Sequence, residues 1–146
     1  MGRQLCTFGL GSFLFAVDVD RVQEVIRYQE ATPVLTAPDS VAGLINLRGQ
    51  IVTAISLRRR MGLPSRTDGA LPMNIVVRTT EGAISLLVDE IGEVVDVNPD
   101  SFELLPETVT GAVRLTTSGV YKLDDALLHV IDLTAILQIE PSSSNR

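Results

Sequence analysis

The side chains able to do chemistry are few. His129 is the only histidine, Cys6 the only cysteine and Lys122 the only lysine. One histidine and one cysteine cannot build a Cys/His zinc site. Lys122 sits in Val-Tyr-Lys-Leu and closes no phosphate loop of the Gly-Lys-Ser/Thr type. Ser12, Ser40 and Ser56 lack the Gly-x-Ser-x-Gly elbow, and only His129 could serve them as a base. His129 lies in an apolar run and reads as a packing residue. Cys6 reads as a buried small hydrophobe. Paired carboxylates could hydrolyse a substrate by acid–base chemistry. Asp18, Asp20, Asp89 and Glu90 offer them, but each follows a strand end, where helix capping explains an acid without catalysis. Asp124-Asp125 reads as a hairpin turn. No catalytic, metal-binding or cofactor-binding residue is assigned, and no cofactor is expected.

Two charges stand out from their surroundings. Glu24 opens a strand in an apolar stretch, and Arg48 lies in the turn of an apolar hairpin. If that hairpin packs beside the Glu24 strand, a bidentate guanidinium–carboxylate pair forms. At a surface such a pair contributes only ~0–1 kcal/mol, so its use would be to position a loop. The run Arg58-Arg59-Arg60 reads as the exposed face of a short helix.

These residues need elements to hold them. The chain has 146 residues, enough for one compact domain or two small lobes. Its apolar residues fall in short β-branched runs punctuated by Gly, Pro and Asp, the pattern of many short strands. Strands are expected over 4–10, 13–17, 24–28, 44–47, 51–55, 75–79, 83–88, 93–97, 112–115, 120–123 and 127–131. Cys6, Phe8 and Leu10 share one face of the first. Arg48-Gly49-Gln50 supplies a tight turn. Short helices follow Ser56 and Asp132, both good N-caps, over 57–61 and 133–137. Met61 and Met73 flank the loop 62–72 and read as gap-fillers. Residues 141–146 are expected to form a flexible tail.

Charge and apolar length exclude further classes. The net charge is −6. Residues 1–72 carry eight arginines against six acids, and residues 73–146 four basic groups against twelve acids. An acidic chain with few aromatics is a poor nucleic-acid binder. Opposite-signed halves suit head-to-tail association with a relative. No uncharged apolar run reaches the ~18 residues of a membrane span. The stretch Leu5 to Val17 is broken by Gly9, Gly11 and Ser12, so it reads as a turn and not as a leader. A cytoplasmic protein is expected.

The chain also repeats itself. Val19 to Ile26 aligns with Val88 to Val95 at an offset of 69, which superposes Glu24 on Glu93. Val41 to Leu47 aligns with Val109 to Leu115, and Ile55-Ser56-Leu57 with Ile131-Asp132-Leu133. Two copies of one β unit, each closed by a short helix, fit two small five-stranded barrels. The expected lobes are about 1–66 and 67–139, with terminal segments free to cross between them.

From about Gln4 to Ile139 the sequence resembles the CheW family, the coupling proteins of bacterial chemosensory arrays. The strongest element is Val41-Ala-Gly-Leu-Ile-Asn-Leu-Arg48-Gly49-Gln-Ile-Val52, similar to the family's Gly-x-x-Asn-Leu-Arg-Gly-x-x-Val signature. Val22-Gln23-Glu24-Val25 and Leu87 to Val94 follow the same plan, as do Phe102 to Pro106, Gly111 and Val130 to Leu133. The resemblance implies an all-β fold of two SH3-like five-stranded barrels and one CheW-like domain over 1–140. It implies a non-enzymatic adaptor that joins a chemoreceptor's cytoplasmic helical hairpin to the regulatory domain of a CheA-type histidine kinase. It also implies barrel-to-barrel rings, a groove between lobes for the receptor helix, and no direct membrane insertion. Glu24 and Arg48 match the family's coupling positions, and Val22 and Gly43 match partner-contact positions. The family's Val-Pro-Val-Ile-Asp-Leu-Arg is replaced by Val52-Thr53-Ala54-Ile55-Ser56-Leu57-Arg58. Thr53 restores an N–H and is expected to alter an edge strand's pairing, while Ser56 keeps the cap without its charge. These departures bear on partner choice. The second reading is a CheW-like adaptor of another pathway, such as pili-based surface motility. The third is a small carboxylate hydrolase.

Overall fold

The computed structural model describes residues 2–138. The tail expected at 141–146 lies outside the described residues. The strands are β1 (Arg3–Leu10), β2 (Phe13–Asp18), β3 (Val22–Ile26), β4 (Val41–Leu47), β5 (Gln50–Ser56), β6 (Met73–Thr79), β7 (Gly82–Val88), β8 (Glu90–Val97), β9 (Thr117–Lys122) and β10 (Leu127–Ile131). The helices are α1 (Leu57–Arg60), α2 (Gly111–Leu115) and α3 (Leu133–Leu137), with 3-10 turns at Val19–Arg21 and Pro99–Ser101. Among the described residues no helix is long and apolar enough to cross a membrane.

Ten strands make two five-stranded sheets. The first lobe orders them β3-β6-β7-β5-β4 and the second β8-β1-β2-β10-β9. The division at residue 66 is therefore corrected. β1 and β2 pair with strands from the end of the chain, and β6 and β7 with strands from its first half. The chain crosses between lobes after β2 and again after β7.

Register shows how exact the duplication is. Val25 pairs with Ile75 and Ile26 with Asn74, while 69 residues on Val94 pairs with Cys6 and Val95 with Leu5. β5 and β10 correspond at an offset of 76, since Ala54 pairs with Ser85 where Val130 pairs with Ala16. The same offset maps β4 onto β9 and Gly43 onto Gly119, which pair with Ala54 and Val130. The alignment of Gly43 with Gly111 is thus wrong. Residues 112–115 are not a strand but lie in α2, where Val113 is buried.

The alternation of period two along the strands divides their side chains between faces. Cys6, Phe8, Leu10, Phe15 and Val17 of the second lobe meet Ile75, Val77, Leu86 and Val88 of the first in one shared core. The opposite faces carry a smaller cluster in each lobe, around Leu5, Tyr121 and Leu128 in one and Ile45 and Val52 in the other. Met61 is buried in the shared core, and Met73 packs against it. Ser56 and Asp132 accept hydrogen bonds from Arg59 N–H and Ala135 N–H, as their cap role predicts.

Candidate functional site

The β4–β5 hairpin turns on two residues, Arg48 and Gly49, with φ of 54° and 83°. Positive φ at both positions is the type I′ geometry that matches strand twist. Arg48 adopts it against the preference of a side chain with a Cβ. Asn46 Oδ1 accepts from the Gly49 N–H at 3.0 Å and stiffens the turn. Arg48 Nη2 lies 2.9 Å from Glu24 Oε1, and Nη1 donates to Oε2 at 3.4 Å. The bidentate pair expected from the sequence is formed. Its position gives it a further meaning, because β3 and β4 are the two edges of the first sheet. Glu24 on one edge and the turn that follows the other are clasped, which draws the sheet toward closure. The Glu24 side chain is 19% exposed and that of Arg48 82%. The carboxylate is held within the lobe while the arginine is presented to solvent.

The other two site residues differ in character. Val22 opens β3, pairs with Val77 and packs against the shared core. Gly43 is buried at a bulge in β4 with φ of 148°. A Cβ there would stand 2.4 Å from Thr32 O. The Thr32 backbone crosses at that point and exchanges hydrogen bonds with Leu44 at 2.8 and 2.9 Å. Gly43 is thus a place of close backbone approach. Gly119 repeats this arrangement, with Glu103 O 2.6 Å from its ideal Cβ and Glu103 bridged to Val120.

Several charges behave otherwise than their types suggested. The arginine run is no uniform exposed face. Arg58 is bidentate to Asp89 at 2.8 and 2.7 Å, Arg59 donates to Asp39 O at 3.2 Å, and Arg60 donates to Ile136 O and Ala135 O at 3.0 and 2.7 Å. Asp89 caps no helix. It accepts from Arg58 and from the Gly11 N–H at 2.8 Å. Burial works against its charge, but the Arg58 hydrogen bonds, the Gly11 N–H and the Arg58 and Arg66 charges outweigh it and hold the carboxyl below its ordinary value. Asp18 precedes a 3-10 turn without capping it and is bidentate to Arg3 at 2.8 and 3.0 Å. Asp18 and Asp89, two of the carboxylates weighed for hydrolysis, are each held by an arginine. Sequence reasoning missed the Arg58–Asp89 pair because 31 residues separate its members.

His129 is buried, packs edge-on to Phe13 and shares a hydrogen bond of 3.1 Å with Leu14 O through Nδ1. Cys6 is buried, and burial raises its thiol pKa. Among the described residues no group of three potential metal ligands gathers. Thr53 pairs on both sides, with Leu44 and Ile84, so it lies in an interior strand and not at the edge expected for it.

Two SH3-like lobes, one shared core and ion pairs that tie elements together define a two-lobed all-β protein whose charges serve architecture. Comparison with known proteins gives the family. The model of the CheW-like domain matches residues 4–140. The chemotaxis protein CheW of Bacillus subtilis (strain 168) is 30% identical over 145 residues, covering 98% of this chain and 92% of that one. The chemotaxis protein CheW of Treponema pallidum (strain Nichols) is 29% identical over 134 residues, covering 89% and 79%. The crystal structure of the scaffolding protein TtCheW from Thermoanaerobacter tengcongensis superposes with a TM-score of 0.86 at 28% identity, covering 96% of this chain and 95% of that one. The chain belongs to the CheW family. It is a scaffold protein of chemotaxis signalling and not an enzyme.

Proposed function

We propose that this chain couples the cytoplasmic helical hairpin of a chemoreceptor to the regulatory domain of a CheA-type histidine kinase. It acts in the cytoplasm, within rings of similar barrels. Glu24 and Arg48 carry the coupling, and Val22 and Gly43 shape the lobe that presents them. The observation that carries this reading is the Glu24–Arg48 clasp. Its carboxylate is sheltered and its arginine is 82% exposed, so a partner meets a guanidinium whose position is already fixed.

The test is kinase control in an array reconstituted from receptor, kinase and this chain. Arg48→Glu reverses the exposed charge and sets two carboxylates against each other. The expected result is a loss of receptor control of at least tenfold, with the thermal midpoint within a few degrees of wild type. Unchanged control by a folded Arg48→Glu variant refutes the assigned role. Control of a motility kinase alone, with none of a chemotaxis kinase, moves the chain to the pili-type pathway.

A further inference from the structure

The chain passes from the first lobe to the second at Asp89, between β7 and β8. Four segments converge there. Arg58 of α1 holds the carboxylate through two nitrogens, at 2.8 and 2.7 Å. The Gly11 N–H, from the β1–β2 turn of the other lobe, donates to it at 2.8 Å. The Asp89 N–H donates to Gly9 O at 3.0 Å. Arg66, from the loop after α1, lies 3.7 Å from Oδ1. The Asp89 side chain is only 10% exposed, so little water screens these contacts.

The duplication supplies a mate for this junction. The offset of 69 carries Gly11 to Thr80, Asp89 to Asp20 and Glu90 to Arg21, and the offset of 76 carries Arg58 to Thr134. Both junctions border a cavity. One of about 360 Å³ is lined by Gly11, Arg58, Asp89 and Glu90. The other, about 350 Å³, is lined by Thr80, Thr134 and Arg21. Between them Arg60 donates to Ile136 O, and these two positions are themselves related by the offset of 76. The backbone plan is shared, but the chemistry is not. Thr134 carries a single neutral hydroxyl in place of a guanidinium, so the second junction is built without the ion pair.

We propose that the Arg58–Asp89 pair, by fixing the carboxylate that accepts from the Gly11 N–H of the other lobe, is a latch, added to an architecture that folds without it, which fixes the setting of one lobe against the other. Both residues are then positioning residues for any partner that touches the two lobes at once. That last step rests on the adaptor reading; the latch does not.

The test uses the full chain with Arg58→Gln and Asp89→Asn combined, which removes both charges and orphans neither. Ile45→Val, in the cluster of the first lobe alone, serves as the control for general loosening. The double variant is expected to fold, to exchange the Asp89 and Gly11 amide protons at least tenfold faster by NMR, and to be cut by trypsin after Arg66 several-fold faster. The control should stay within twofold of wild type on both. A double variant that fails to fold overturns the proposal, as do unchanged exchange and cleavage. In the reconstituted array, kinase control should fall in the folded double variant and persist in the control; control retained by both overturns the positioning role. A wild-type chain without any kinase control defeats the adaptor reading and leaves the exchange result to decide the latch.

Discussion

Arg48 and Asp89 show two uses of one kind of ion pair. Arg48 holds an unfavourable positive φ at the tip of a hairpin and keeps its side chain in water. A pair so exposed adds little to stability, so its worth lies in where it places the guanidinium. Asp89 is sheltered and gripped by neighbours from both lobes, so its charge is linked to folding. Its carboxyl titrates below the ordinary value in the folded state. The stability it contributes is complete above the unfolded value of about 4 and is lost as pH falls through the lower folded value. Urea midpoints measured from pH 7 to pH 3 should therefore separate wild type from the Arg58→Gln, Asp89→Asn double variant at neutral pH and converge in acid. A gap that stays constant over that range would show that Asp89 is not the linked group. The Glu24–Arg48 pair was legible because both charges interrupt apolar runs. The Arg58–Asp89 pair was not, because a charge after a strand end looks like a cap until the fold brings an arginine to it.

At the scale of elements, the period-two pattern located most strands, since an alternating face must find a core. It failed at 112–115. A run of Ala-Val-Arg-Leu is too short to show whether its period is 2 or 3.6, and its likeness to Val41–Leu47 favoured the wrong answer. Sheet register corrects it, because the offset must already be 76 when β5 meets β10, so the extra residues precede β9. The 3-10 turns at Val19–Arg21 and Pro99–Ser101 carried no periodic signal at all. The corrected register makes Gly43 and Gly119 equivalent, each crossed by a strap of backbone. Ala at either should therefore be destabilising. Gly43→Ala meets Thr32 O and a left-handed φ, and should cost at least about 2 kcal/mol. Gly119→Ala meets Glu103 O and the Phe102 ring, and should cost a comparable amount. Chemical denaturation of both variants checks the equivalence. Full stability in Gly119→Ala would mean that the second strap yields where the first does not.

At the scale of the whole molecule, the two crossings of the chain govern what the lobes can do separately. The uneven charge of the sequence is kept in the lobes, somewhat less sharply than between its halves. Residues 19–89 hold eight arginines and seven acids, while 2–18 with 90–138 hold three basic groups and ten acids. The lobes thus differ in surface potential, as head-to-tail docking on a relative requires. They do not differ in the core that supports them. β1 and β2 reach forward to the last strands, so the second lobe is built from two separate pieces of chain, and the first lobe, β3 to β7, is inserted between them. The largest apolar cluster draws on both sheets, with Phe8 and Phe15 of one stacked at 5.8 Å and packed with Ile75, Val77 and Leu86 of the other. A lobe that lost its partner would expose that face, at about 25 cal/mol for each Å² of apolar surface. Unfolding should therefore be one cooperative transition, with equal calorimetric and van't Hoff enthalpies. Phe15→Ala in the shared core should lower stability by about 3–5 kcal/mol, and Ile45→Ala in the first lobe's own cluster by about 2–5 kcal/mol. Both should move the single transition to lower temperature. A second transition in Ile45→Ala, with the acidic lobe melting later, would show that the lobes fold independently despite their shared core.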